Sequence, residues 1–313
     1  MTLDARVRAL ARAVRSHLAA QRQTDGVPRA LLADRQGVLV RRRAFGPHDL
    51  ERLDAILRQA EAVIPVRALF ELPPERRSPR LVVLRHDTDA DIDNAVRFAE
   101  WEAAHGYRAS YYVLHTDWYY RRGFSGPPTR YVLRALERIQ RLGHEIGLHN
   151  NAITVGLKTG RDPVEILSAE LQFLRRRGFD VVGTAAHGDP LCRTCAYNNG
   201  ELFLEAPRPE HGAPSRTIAC TDSSSGRALR VELRPVSMAS LGLTYEANFI
   251  RNRYYLTDSH GRWNRPLQMA STEFDRRDAL LSFLIHPAWW AFEGEPLLAG
   301  QEPVGESTGD ADP

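Results

Sequence analysis

Short apolar runs that alternate with helical stretches predict an α/β protein whose strands lie parallel, in a sheet or a barrel. Three observations carry this. The runs "LVVL" (residues 81 to 84), "ASYYVLH", "EIGLHN", "VVGTAAHG", "RYYLTDS" and "LLSFLIHP" have strand length and composition. The first four are separated by "ADIDNAVRFAEWEAAHG", "PPTRYVLRALERIQRLG", which opens on Pro and closes on Gly, and "DPVEILSAELQFLRRRG". Each run also ends in polar or ionisable residues: Asp87 and Asp89, His115, His149 and Asn150, His187, Asp258 and His286.

Around this unit, residues 1 to 78 read as an N-terminal helical and then mixed cap. "MTLDARVRALARAVRSHLAAQ" spaces Arg among Ala, Leu and Val at helical intervals, without the continuous apolar core of a signal peptide. The turn-rich "ELPPERRSPR" connects it to the main unit, residues 79 to 292. Residues 190 to 250 break the repeat and are expected to hold long loops with one or two short strands. From 293 to 313 there is little to pack, and a disordered tail is expected.

Composition excludes several classes of function. The chain has 313 residues, 43% hydrophobic and 26% charged, with a net charge of +3. Lys158 is its only lysine, so the positive charge is arginine. The runs Arg41 to Arg43 and Arg175 to Arg177 lack interleaved aromatics and read as solvated faces, so no nucleic-acid partner is expected. No apolar run approaches the roughly 18 residues of a membrane helix. Three cysteines, an odd number, argue against a disulfide framework and for a reducing compartment, so a cytoplasmic location is expected.

In a (β/α) barrel the C-terminal strand ends converge on one mouth, where active sites are built. Side chains two apart on a strand share a face, so Asp87 and Asp89 sit with Arg85 while His86 turns away. Two carboxylates on one face suit a metal ligand beside a base. His86 reads as structural, His115 as packed among the aromatics of "YYVLHTDWYY", and His144 as a cap on a backbone carbonyl.

"LRHDTDADIDNA", "LGHEIGLHNN" and "LLSFLIHPAWW" together resemble the polysaccharide deacetylase family, the NodB-homology or carbohydrate esterase four group, over roughly residues 80 to 290. The resemblance implies a distorted (β/α)7-type barrel and metal-dependent removal of acetyl groups from amino sugars. Residue by residue it makes Asp87 the general base, Asp89 a metal ligand, His149 the first ligand histidine and His286 the catalytic acid. Asp258 would orient His286; Asn150, Trp263 and Arg251 would meet the substrate. The implied cofactor is a divalent ion, zinc first, with iron, cobalt, nickel or manganese as alternatives.

The sequence departs from the family in three places. Thr88 separates the two aspartates, so their roles could be exchanged. Ile153 stands where a second ligand histidine is expected and cannot coordinate. "AAHGDP" replaces an arginine motif. A third ligand must then come from elsewhere, and His187 is preferred over Asn150 or Asn151 because imidazole binds zinc or iron better than a carboxamide oxygen. Cys192 and Cys195 form a CxxC that does not visibly open a helix; ordinary loop thiols are expected, in preference to a structural zinc site with Cys220 and His211.

The expected activity is hydrolysis of an N-acetyl group on a soluble small-molecule amino sugar, in a chain of open oligomeric state. A non-haem iron oxygenase and a catalytically silent carbohydrate-binding barrel are the alternatives.

Overall fold

The computed structural model describes residues 31 to 33, 39 to 41, 43 to 73, 75, 80 to 121, 126 to 207, 215 to 222, 226 to 251, 253 to 276 and 279 to 293. The expected N-terminal helix and C-terminal tail lie outside these. Strands β1 (Leu31–Ala33) and β2 (Leu39–Arg41) form an antiparallel pair. Then come α1 (Pro47–Leu57), β3 (Ala62–Ile64), α2 (Val66–Glu71), β4 (Arg80–Thr88), α3 (Ile92–Ala104), β5 (Ser110–Leu114), α4 (Arg130–Arg141), β6 (Glu145–Asn150), α5 (Ala152–Thr159), α6 (Pro163–Arg176) and β7 (Gly183–Ala186). After α7 (Pro190–Thr194) an antiparallel pair, β8 (Arg216–Thr221) and β9 (Ala228–Leu233), precedes β10 (Tyr245–Glu246), β11 (Tyr254–Thr257), α8 (Met269–Glu273) and β12 (Ala279–Ile285).

Eight strands make one parallel sheet, ordered β10, β7, β6, β5, β4, β12, β11, with β3 also on β4. It curls into a half-barrel. β4 is central because its near-continuous apolar run is buried on both faces, as a strand covered by helices on one side and a barrel interior on the other must be. β3 pairs with its first half (Ala62↔Leu81 to Ile64↔Val83) and β5 with its second (Arg85↔Ser110 to Thr88↔Val113). The segment ahead of residue 79 contributes to the sheet and its core: β3 is a strand of the sheet, and Leu50, Leu53, Ile56 and Leu57 of α1 join the same core as Val82, Leu84 and Phe283.

The helices follow their sequence signals. In α4, Thr129 caps the first turn by accepting from the Val132 amide, and Val132, Leu133, Ala135, Leu136 and Ile139 form the buried face. Each buried leucine of that stripe contributes about 2 kcal/mol. The other face of the sheet encloses a smaller core of Val66, Leu69, Leu81, Val83, Tyr112, Ala185, Tyr245 and Ala247. Gly147 and Gly183 make room for it: a Cβ on Gly147 would lie 2.4 Å from the Tyr112 ring, and one on Gly183 1.9 Å from that of Tyr245. These rings fill the half-barrel beneath the ionisable strand ends.

Two sequence expectations about cysteine are corrected. Cys195 is bonded to Cys220, 25 residues on, with Cα atoms 5.2 Å apart; Cys192 is the free thiol. β8 carries Cys220 against the turn that follows α7, a tertiary proximity that an odd cysteine count cannot reveal. The compartment argument thereby loses its premise. Pro190 also opens α7, so Cys192 does lie in a helix. No helix among the described residues is long and apolar enough to cross a membrane.

Candidate functional site

The C-terminal ends of β4, β6, β7 and β12 bring Asp87, Asp89, His149, His187 and His286 together. On β4 the period-two rule places Arg85 and Asp87 on the interior face, and the Arg85 guanidinium grips both Asp87 oxygens (Nε to Oδ1 2.8 Å, Nη2 to Oδ2 2.7 Å). Arg85 is held in turn by Asn248 Oδ1 at 2.6 Å. Burial pushes the Asp87 carboxyl up, but Arg85 and then His149 outweigh it, so Asp87 is held below the usual carboxylate range.

His149 Nε2 lies 3.3 Å from Asp87 Oδ2, 3.2 Å from Asp89 Oδ1 and 3.2 Å from His187 Nδ1. His187 Nδ1 is 3.8 Å from Asp89 Oδ1. One ligand atom from each of Asp89, His149 and His187 thus falls within 4.8 Å of the other two. Ligands about 2.1 Å from a tetrahedral zinc are about 3.4 Å from one another, so the spacing suits an ion.

Donor and acceptor chemistry points the same way. His149 Nδ1 donates to the Ala185 carbonyl at 2.7 Å, which leaves Nε2 as the free lone pair of the neutral ring. Asp89 Oδ1 is buried without a hydrogen-bond partner. Lone pairs therefore meet lone pairs, and a cation between them removes the repulsion. In the metal-free protein a proton on Nε2 serves: burial lowers the His149 pKa, but Asp87 and Asp89 outweigh it and the value is raised. For His187, burial and the neighbouring His149 lower the pKa, keeping the ring neutral and able to coordinate.

His286 closes the other side. Its Nδ1 is 2.6 Å from Asp258 Oδ1, and Asp258 also accepts the Trp290 indole N–H at 2.7 Å and the His286 amide. Nε2 is left facing Asp89 Oδ2 at 3.7 Å. Burial lowers the His286 pKa, but Asp258 more than compensates, to about 9. The imidazolium is the form present at neutral pH.

The three expected substrate contacts fare differently. Asn150 is spent on backbone: its amide donates to the Asn199 carbonyl and accepts from the Ala152 amide. Trp263 packs on Phe45, Phe283 and Trp290, within the core shared with the helices. Arg251 is exposed ahead of β11. None of the three makes a hydrogen bond to the cluster: Asn150 alternates away from His149 on β6, and Trp263 and Arg251 lie outside the strands. His115 accepts from the Asn151 amide, and His144 bonds the Ala99 carbonyl through Nε2, so both do the structural work expected of them. Ile153 is fully buried in α5.

Sequence reasoning missed the supports. Asn199 donates to the His187 carbonyl and the Asn151 side chain and accepts from the Ile153 amide, tying β7 to α5. Glu246 accepts from the Ala186 amide and the Thr184 hydroxyl, fixing the strand that ends in His187. The isolated carboxylate in "LTYEANF" was the one available signal. No family model matches the chain, and neither a curated protein nor a solved structure matches it.

Proposed function

We propose that the protein is a metal-dependent N-deacetylase acting on a soluble small-molecule amino sugar, a divergent relative of the polysaccharide deacetylases with a distorted (β/α)7-type barrel. The observation that carries this reading is the placing of a two-histidine, one-aspartate cluster beside a His286–Asp258 pair and a clamped Asp87. Asp89 Oδ1, His149 Nε2 and His187 Nδ1 would hold the ion, zinc by preference. A bound divalent ion there polarises an acetyl carbonyl and lowers the pKa of a water to about 7.

The chain's own residues supply the rest. Asp87, ionised and held in one orientation by Arg85, takes a proton from the attacking water. His286, protonated at neutral pH and aimed by Asp258, gives its Nε2 proton to the departing nitrogen. Water adds across the C–N bond, leaving acetate and the free amine. The test is acetate release from N-acetylated amino sugars by metal-replete protein, with Asp87→Asn keeping the metal and losing at least ~100-fold in turnover. No hydrolysis of any N-acyl substrate sinks the reading.

Two histidines and one carboxylate also describe a non-haem iron site, which supports an oxygenase as second reading. Oxygen consumption with ferrous iron separates the two. The deacetylase is favoured because an oxygenase has no evident use for an imidazolium held by a buried aspartate.

A further inference from the structure

The fully buried arginines among the described residues are paired with carboxylates: Arg43 with Asp91 at 2.9 Å, Arg85 with Asp87 at 2.7 Å, and Arg121 with Glu170. Arg253, half-buried, differs. It precedes β11, whose Tyr255 pairs in register with Ser282 of β12, itself level with Val83 of the interior core. Its side chain enters the half-barrel, where Nη1 donates to Ser282 Oγ at 3.0 Å and the guanidinium lies 4.4 Å over the Tyr255 ring. Among the described residues those are its polar and ring partners, and no carboxylate lies within ion-pair reach.

Arg253 is half-buried, and a guanidinium partly withdrawn from water costs free energy unless it is paired; stacking on one tyrosine recovers only part of that, and the unpaired donors stay open to an incoming group. Burial alone pulls the Arg253 pKa down. The neighbouring cation makes matters worse: Arg85 acts on Arg253 unfavourably, and Asp87, the acid that also acts on it, has both oxygens committed to Arg85. Asp87 is therefore the carboxylate that both guanidinium groups face, and Arg85 has taken it. Of the five N–H donors of Arg253, one is spent.

We propose that Arg253 receives an anionic group of the substrate, a carboxylate or a phosphate, so that the N-acetylated amino sugar taken by this protein is an acidic one. The fork of unspent donors suits either oxyanion by bidentate contact, and the half-buried setting strengthens it. Arg253 is thus a specificity-determining residue. The choice of substrate rests on the deacetylase reading; the anion site does not.

Inorganic phosphate titrated into metal-free protein at constant ionic strength tests the site without turnover. Wild type should bind it and gain thermal stability, Arg253→Met should bind at least ~10-fold more weakly, and Arg253→Lys should fall between. If Arg253→Met does not fold, the partial loss in Arg253→Lys decides. Wild type that ignores phosphate, or substituted protein that binds it equally well, overturns the proposal. With metal-replete protein, N-acetylglucosamine 6-phosphate and N-acetylmuramic acid are compared with neutral N-acetylglucosamine. The acidic-to-neutral ratio of kcat/KM should drop at least ~10-fold in Arg253→Met, through KM, and whichever acid shows the larger drop identifies the anion. An unchanged ratio counts against Arg253 alone. Hydrolysis of none of the three counts against the deacetylase reading, while the phosphate titration still judges the anion site.

Discussion

Two clusters of almost the same composition sit on opposite faces of the sheet. On the helix-covered face, Glu102 accepts from His86 Nε2 and from the Tyr111 hydroxyl, each at 2.6 Å. Beside them His144 donates from Nε2 to the Ala99 carbonyl and accepts the Ala109 amide at Nδ1, and burial lowers its pKa so that it stays neutral. Donors meet acceptors there, with His86 Nδ1 the one ring atom left over. On the interior face, Asp89 Oδ1, His149 Nε2 and His187 Nδ1 turn toward one another, and without a metal it takes a proton on His149 Nε2 to satisfy them. Residue type does not separate a structural cluster from a candidate metal centre; the direction of each lone pair does, and the Ala185 carbonyl sets it for His149.

The sharpest way to break this contrast is to remove one member from each cluster. His149→Ala or His187→Ala should weaken zinc binding by at least ~100-fold, because the remaining donors leave the ion short of three protein ligands. Metal analysis after dialysis reads this directly. Glu102→Ala should leave metal stoichiometry unchanged and cost about 3 kcal/mol in urea unfolding, since it strands two buried donors. A lost metal in Glu102→Ala would mean that the two faces are not independent.

A comparable loss of stability, with no loss of metal, is expected away from both clusters. Cys195→Ser opens a 25-residue loop and should cost about 3 to 4 kcal/mol, whereas Cys192→Ser should cost under about 1 kcal/mol. Equal effects would show that the cross-link is not formed in solution.

The smallest effect is electrostatic. In metal-free protein His286 should titrate near pH 9 by NMR, and Asp258→Asn should bring it back toward its ordinary value. Because the folded value lies above the unfolded one, charged His286 contributes stability fully below about pH 6.5. That contribution is lost as pH rises through about 9. A His286 that titrates below 6.5 would remove the acid from the proposed chemistry.

The sequence made the main strands legible, along with the polar residue at the end of each, because period and composition are local signals. Strand-end position put Asp87, Asp89, His115, His149, His187, Asp258 and His286 at one mouth. The family resemblance singled out Asp89 and His149, the missing ligand at Ile153 pointed to His187, and the structure brings those three together. Strand β3 was not legible, since "AVI" is three residues long and finds its place only by pairing with Leu81 to Val83. The Cys195–Cys220 bond, the Asn199 hub and the isolation of Arg253 were hidden for the same reason: each depends on what lies across the fold. Arg251 was expected at the substrate, whereas Arg253, two positions on, is the arginine that enters the half-barrel.

The most direct test of the metal centre is a structure of zinc-loaded protein, read at the zinc absorption edge. One ion per chain should bind Asp89 and one nitrogen each of His149 and His187, at about 2.0 to 2.2 Å. An ion bound by neither histidine, or a cluster that stays empty in saturating zinc, would contradict the account.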